Sequence, residues 1–159
     1  MSEGSRVKIL VADDDADDRL LIGDAFDENH LQNPIDYVED GEQLLDYLNR
    51  RGKYESLAGE PYPGIILLDL NMPKVDGRTA LKEIKADPKL CRIPVIILTT
   101  SKAEEDILRT YGLGVNSFIT KPVTFDALID VVRAIGEFWF QIVALPPQDQ
   151  NSTIASSAA

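Results

Sequence analysis

The 159-residue chain has one cysteine, one histidine and one tryptophan. Cys91 alone excludes an internal disulfide and a thiolate metal cluster, and reads as a reduced, partly buried thiol. His30 lies in a polar segment at a helix end and reads as a surface or capping residue. Positive charge is scarce: 16 Lys and Arg stand against 27 Asp and Glu, a formal net charge of −11. Such a balance repels phosphate backbones and anionic lipid surfaces, which argues against nucleic-acid binding and membrane association. No apolar run approaches the ~20 residues that a bilayer span requires. No apolar leader is visible either, because Met1–Arg6 leads straight into a strand pattern, and a cytoplasmic protein is expected. What remains, 44% hydrophobic and 27% charged residues, is the composition of one globular domain, which at this length buries roughly 68–70% of its unfolded surface.

The most informative stretch is Ile65-Ile66-Leu67-Leu68-Asp69-Leu70-Asn71-Met72-Pro73. Its apolar run is too short for a helix and suits a fully buried strand. The strand delivers Asp69 to the carboxyl edge of a sheet, where α/β proteins place their ligands, and Pro73 prevents its continuation. Similar strand patterns occur at Val7–Ala12, Ile35–Val38, Pro94–Leu98 and Ser117–Thr120, the second of them half-polar and suited to a sheet edge. Helical spacing of apolar residues follows each: Leu20, Leu21, Ala25 and Phe26; Leu44, Leu45 and Leu48 within about Glu42–Arg50; Leu81 and Ile84; a weaker pattern over about Ala103–Tyr111; and Leu128, Ile129, Val132, Ile135 and Trp139 after a capping Thr124. Strand and helix thus alternate five times, which predicts a parallel sheet covered on both faces with right-handed crossovers. Arg51–Pro63 reads as a long surface loop, and Tyr111-Gly112-Leu113-Gly114 as a turn rather than a nucleotide loop.

Four of these strands end in polar residues: Asp13-Asp14, Asp69, Thr99-Thr100 and Lys121. In a parallel sheet those ends cluster. Asp15, Asp17 and Asp18 have an independent explanation as first-turn acids of a helix, but Asp13 and Asp14 precede the helix and do not. Three clustered carboxylates raise one another's pKa unless a cation sits among them. An all-oxygen ligand set suits a hard divalent ion such as Mg²⁺. With Lys121 and a threonine hydroxyl to receive an anion, the set points to a phosphoryl site with an aspartate nucleophile.

These residues, in this order, resemble the receiver domain of two-component response regulators, over about Val7 to Ile135. The resemblance implies a flavodoxin-like α/β fold, a five-stranded parallel sheet of order 2-1-3-4-5 flanked by five helices. It implies that Asp69 accepts a phosphoryl group from the phosphohistidine of a histidine kinase. By the same resemblance Asp14, Asp69 and the backbone carbonyl of Asn71 bind Mg²⁺, and Asp13 reaches it through water. Thr99 and Lys121 meet phosphoryl oxygens, and Phe118 falls at an aromatic switch position. Core packing is the competing reading of Phe118. Thr100 departs from the commoner pattern, where a smaller residue stands, and is expected to affect acyl-phosphate lifetime. Two other classes remain. Aspartate-nucleophile phosphatases of the haloacid-dehalogenase type want a second acid where Asn71 stands, and a binding-only pseudo-receiver does not need the complete acid, hydroxyl and lysine set. A receiver is a phosphoacceptor with self-catalysed transfer and autodephosphorylation rather than an enzyme with a separate substrate.

The expected organisation is a receiver over residues 6–143 and a tail over 144–159, with no effector domain and output through protein contact. Aromatic residues occupy consecutive positions at Phe138-Trp139-Phe140, followed by Ile142, Val143 and Leu145. They surround a helix end instead of lining one face, and so need a cover. The long loop and the terminal Phe138-Trp139…Val143…Leu145-Pro146 pattern resemble the small stand-alone regulators paired with bacterial phytochrome histidine kinases. That resemblance implies a phytochrome-type kinase as partner and a homodimer, with the tail as an arm across the second subunit. The alternative is that the aromatics pack on the chain's own last helix.

Overall fold

The computed structural model describes residues 7–72, 74–99, 103, 117–121 and 124–137. Five strands, β1 (Ile9–Ala12), β2 (Ile35–Val38), β3 (Ile65–Asp69), β4 (Val95–Thr99) and β5 (Ser117–Thr120), form one sheet of order β2-β1-β3-β4-β5. Every neighbouring pair is parallel. Among the described residues four α-helices accompany it: α1 (Ala16–Glu28), α2 (Gly41–Asn49), α3 (Gly77–Ala86) and α4 (Phe125–Ile135). This is one fewer than the five expected, and the weak helical pattern of 103–111 lies, beyond Ala103, outside the described residues. So do the tail and the turn at Tyr111–Gly114.

Alternation of side chains along the strands divides the core in two. Leu10, Ala12, Ile66, Leu68, Val95 and Ile97 face α2 and α3, meeting Leu44, Leu48, Leu81 and Ile84. Ile9, Val11, Ile65, Leu67, Ile96 and Leu98 face α1 and α4, meeting Ile22, Phe26, Leu128 and Val132. The central strands are buried on both faces, which is why they read as continuous apolar runs, while β2 at the edge does not.

Each helix starts at a side chain that accepts from its first-turn amides. Asp15 caps α1, Asp40 caps α2, Asp76 caps α3 and Thr124 caps α4. Two glycines pin the loop after β3. A Cβ on Gly77 would lie 2.5 Å from Leu70 Cα, and one on Gly41 would lie 1.7 Å from the Val75 carbonyl oxygen. The loop is therefore clamped between the starts of α2 and α3.

Several boundaries differ from the sequence pattern, among them β4, which spans Val95–Thr99 rather than Pro94–Leu98. β1 begins at Ile9 rather than Val7, and α2 spans Gly41–Asn49. The stretch expected as a plain loop after Arg51 contains a 3₁₀ helix, Gly52–Leu57. Its Tyr54 ring meets Tyr47 edge-on with centroids 5.2 Å apart. The Arg50 guanidinium lies over the rings of Tyr47 and Tyr62 and donates to the carbonyls of Glu60 and Pro61. No helix among the described residues is long and apolar enough to cross a membrane.

Candidate functional site

Three strand ends converge as the order of the sheet requires. Asp13 continues β1, its amide donating to the Val38 carbonyl. Asp69 closes β3, and Lys121 follows β5 with its amide on the Thr99 carbonyl at 2.8 Å. Asp13 and Asp69 are buried, Asp14 is exposed, and Thr99 is fully buried. Asp13, Asp14 and Asp69 each present a carboxylate oxygen within 4.8 Å of the others.

The buried carboxylates are each fixed through one oxygen. Asp13 Oδ1 accepts from the Asp15 amide at 2.9 Å, and Asp69 Oδ1 accepts from the Asn71 amide at 2.9 Å. Their second oxygens both face Lys121 Nζ, at 3.2 Å for Asp13 and 3.1 Å for Asp69. The ammonium has a third carboxylate, Asp18 Oδ2, at 2.6 Å. Asp18 thus belongs to the site, contrary to its reading as only a first-turn acid. An acid in a first turn always has the helix dipole as sufficient reason, so nothing in the local pattern marked it.

Electrostatics follow from this geometry. Burial disfavours the charged form of Asp13 and its pKa rises to about 6, against the opposing pull of the Asp15 amide and Lys121. Burial also disfavours charge on Lys121, but Asp18, Asp13 and Asp69 outweigh it and hold the ammonium well above the usual lysine range. Both partners therefore shift upward. The lysine collects three acids, whereas Asp13 shares one ammonium with two competitors and recovers only part of its burial cost. Three acids around one ammonium leave a net negative site, and the three-carboxylate cluster of oxygen donors fits a hard divalent cation.

The other expected residues are placed as follows. The Asn71 amide contacts Asp69, and its side chain is exposed. Phe118 is paired in register with Ile97 and packs, partly buried, against the α2–α3 side of the core. His30 follows the Asn29 cap of α1 in the left-handed conformation, and Cys91 is a half-buried free thiol. Thr100, Pro73, Pro122, Phe138, Trp139, Phe140, Ile142 and Leu145 lie outside the described residues.

Comparison with known proteins identifies the family. The family model for the response regulator receiver domain matches residues 9–133. Response regulator Rcp1 of Synechocystis sp. is 40% identical over 145 residues, 91% of this chain and 96% of its own. The crystal structure of the phosphorylated cyanobacterial phytochrome response regulator RcpA shares 42% identity at a TM-score of 0.73, covering 84% of this chain and 94% of its own. The Mn²⁺-bound form of Rcp1 shares 38% identity at a TM-score of 0.73, covering 85% of this chain and 95% of its own.

Proposed function

We propose, since the chain belongs to the response regulator receiver family, that Asp69 is its phosphoacceptor and that a sensor histidine kinase of the phytochrome type is the donor. The observation that carries this reading is the Asp69 carboxylate at the carboxyl end of β3, with Lys121 at 3.1 Å and two further carboxylates beside it. In the transfer an Asp69 oxygen attacks phosphorus, the phosphorus–nitrogen bond of the phosphohistidine breaks, and the imidazole leaves with the electron pair. Lys121 pairs with one phosphoryl oxygen in exchange for its contact with Asp69 Oδ2. Thr99, at the end of the neighbouring strand, donates its hydroxyl to another. The Asn71 amide on Asp69 Oδ1 leaves Oδ2 as the attacking atom.

Asp14, Asp69 and the Asn71 carbonyl would hold Mg²⁺, with Asp13 reaching it through water, and the ion would offset the charge of the phosphoryl oxygens. The acid cluster and the Mn²⁺ named for a relative support a divalent ion. Phe118 is the residue to relay occupancy, because it stands on β5 beside Thr99's strand and packs on the α2–α3 core. The protein acts in the cytoplasm as a phosphoacceptor, not as an enzyme with its own substrate, and signals by protein contact without nucleic acid or membrane. Pairing with a phytochrome-type kinase is supported by the phytochrome regulators among its relatives.

The test is intact mass after incubation with acetyl phosphate, with and without Mg²⁺. One phosphoryl group is expected on the wild type with Mg²⁺ and none on Asp69→Asn. An adduct that survives Asp69→Asn would overturn the assignment. A wild type that stays unmodified even with a phosphorylated histidine kinase would make the chain a binding module.

A further inference from the structure

We infer that Asp18 is the positioning residue for Lys121: it holds the ammonium at the α1 side of the site and so releases Asp13 and Asp69 for a cation and a phosphoryl group. The inference rests on the reading of Asp69 as phosphoacceptor. An ammonium has three protons, and Lys121 Nζ faces three carboxylates, with Asp18 at 2.6 Å the nearest, Asp69 at 3.1 Å and Asp13 at 3.2 Å.

The three acids are not equivalent. Asp13 and Asp69 belong to the cluster whose oxygens converge within 4.8 Å, together with Asp14, and Asp18 does not. In each of the two, one oxygen is already fixed by a backbone amide. The free oxygen, which a cation or the transfer itself must recruit, is the one engaged by Lys121. A dication entering beside Asp13 and Asp69 competes with the ammonium for those oxygens. The Lys121 side chain is only 13% exposed, and an ammonium that lost both partners at once would be left poorly compensated. Asp18 remains as its counter-charge. It keeps the lysine inside the site without occupying the oxygens needed for chemistry.

The start of α1 has supports other than the Asp18 side chain. Asp15 caps α1 by accepting from the Asp17 and Asp18 amides, and Asp17 still supplies a first-turn charge. Arg19, the next cation along, is engaged elsewhere, donating to the Asp13 carbonyl at 2.8 Å and facing Glu39 at 3.6 Å. The role is therefore specific to the Asp18–Lys121 pair.

The experiment is a double-mutant cycle on the full chain, read as the Mg²⁺ dissociation constant by isothermal titration calorimetry. Asp18→Asn is expected to weaken Mg²⁺ binding roughly three- to ten-fold, as for the loss of one well-placed ion-pair partner. Lys121→Ala removes the competing cation, and in that background Asp18→Asn is expected to change the constant by less than about two-fold. Asp18→Ser serves as the second variant should Asn fail to fold. An equal effect in both backgrounds would show that Asp18 acts through its field alone and would overturn the inference, as would no effect in the wild-type background. The phosphorylation rate with acetyl phosphate should fall in parallel in Asp18→Asn. A wild type that takes no phosphoryl group while the cycle behaves as stated would sink the phosphoacceptor reading and leave the Asp18–Lys121 coupling standing.

Discussion

His30 and Asp13 show what single residues contribute. His30 stands just past α1 with φ of 59°, its amide donating to Asp27 O at 2.9 Å, while the Leu31 amide donates to Phe26 O at 3.0 Å. Those two bonds are the helix stop that glycine fills best, because a side chain in the left-handed region is strained. His30→Gly should therefore stabilise the protein by about 0.5–1 kcal/mol, read as a higher urea midpoint at unchanged slope. Asp13 acts in the other direction. Its pKa is raised from 3.8 to about 6 by burial, so the folded state holds a proton that the unfolded state has released. The contribution of Asp13 is complete below about pH 4 and is lost as pH rises towards 6, a loss on the order of 2–3 kcal/mol. Urea titrations without divalent ions should show stability falling across that window in the wild type and a flatter profile in Asp13→Asn. Sequence made Asp13, Asp14, Asp69 and Lys121 legible because each ends a strand, where no cap or dipole explains a charge. Asp18 was hidden because its helix position already explains it.

At the scale of elements, the site depends on how closely two of them approach. The Gly77 amide donates to Leu70 O at 3.1 Å, and a Cβ there would lie 2.6 Å from Asp69 O. Backbone atoms cannot yield as a flexible side chain can, so Gly77→Ala must push α3 away from the end of β3. A destabilisation of about 2–3 kcal/mol is expected, together with slower phosphorylation from acetyl phosphate because the peptide carrying Asp69 moves. Unaltered kinetics in a folded Gly77→Ala protein would show that this clamp does not set the position of Asp69. The strands themselves were readable because β1, β3 and β4 are buried on both faces, and the helix starts because an Asp or Thr stands at each. The 3₁₀ helix was not readable. Its sequence, Gly52–Leu57, has no helical apolar period and buries no residue, and what holds it is contact across chain, Tyr54 on Tyr47. The order of the strands is likewise set by packing between elements distant in sequence.

For the whole molecule, apolar surface and charge oppose each other. The described domain buries its large apolar side chains, leaving Leu20, Tyr37 and Tyr62 as the exposed ones. The aromatic run Phe138-Trp139-Phe140, outside the described residues, holds more consecutive apolar positions than one helix face can bury. A second copy of the chain is one cover for such a run, the homodimer that the sequence resemblance implies, and packing on the chain's own last helix is the other. Each copy carries a net charge of −11, so two copies repel at long range. Salt screens that repulsion over a Debye length of about 10 Å at 0.1 M, while apolar burial is left intact. Association should accordingly tighten as salt is raised from low to about 0.5 M, the reverse of an interface made by ion pairs. Trp139→Ser with Phe140→Ser should shift the full chain towards monomer at every salt concentration, read by light scattering or sedimentation equilibrium. A dimer that loosens with salt would place charged contacts, not the aromatic run, at the interface. A dimer indifferent to both substitutions would mean that the aromatics pack on the chain's own last helix.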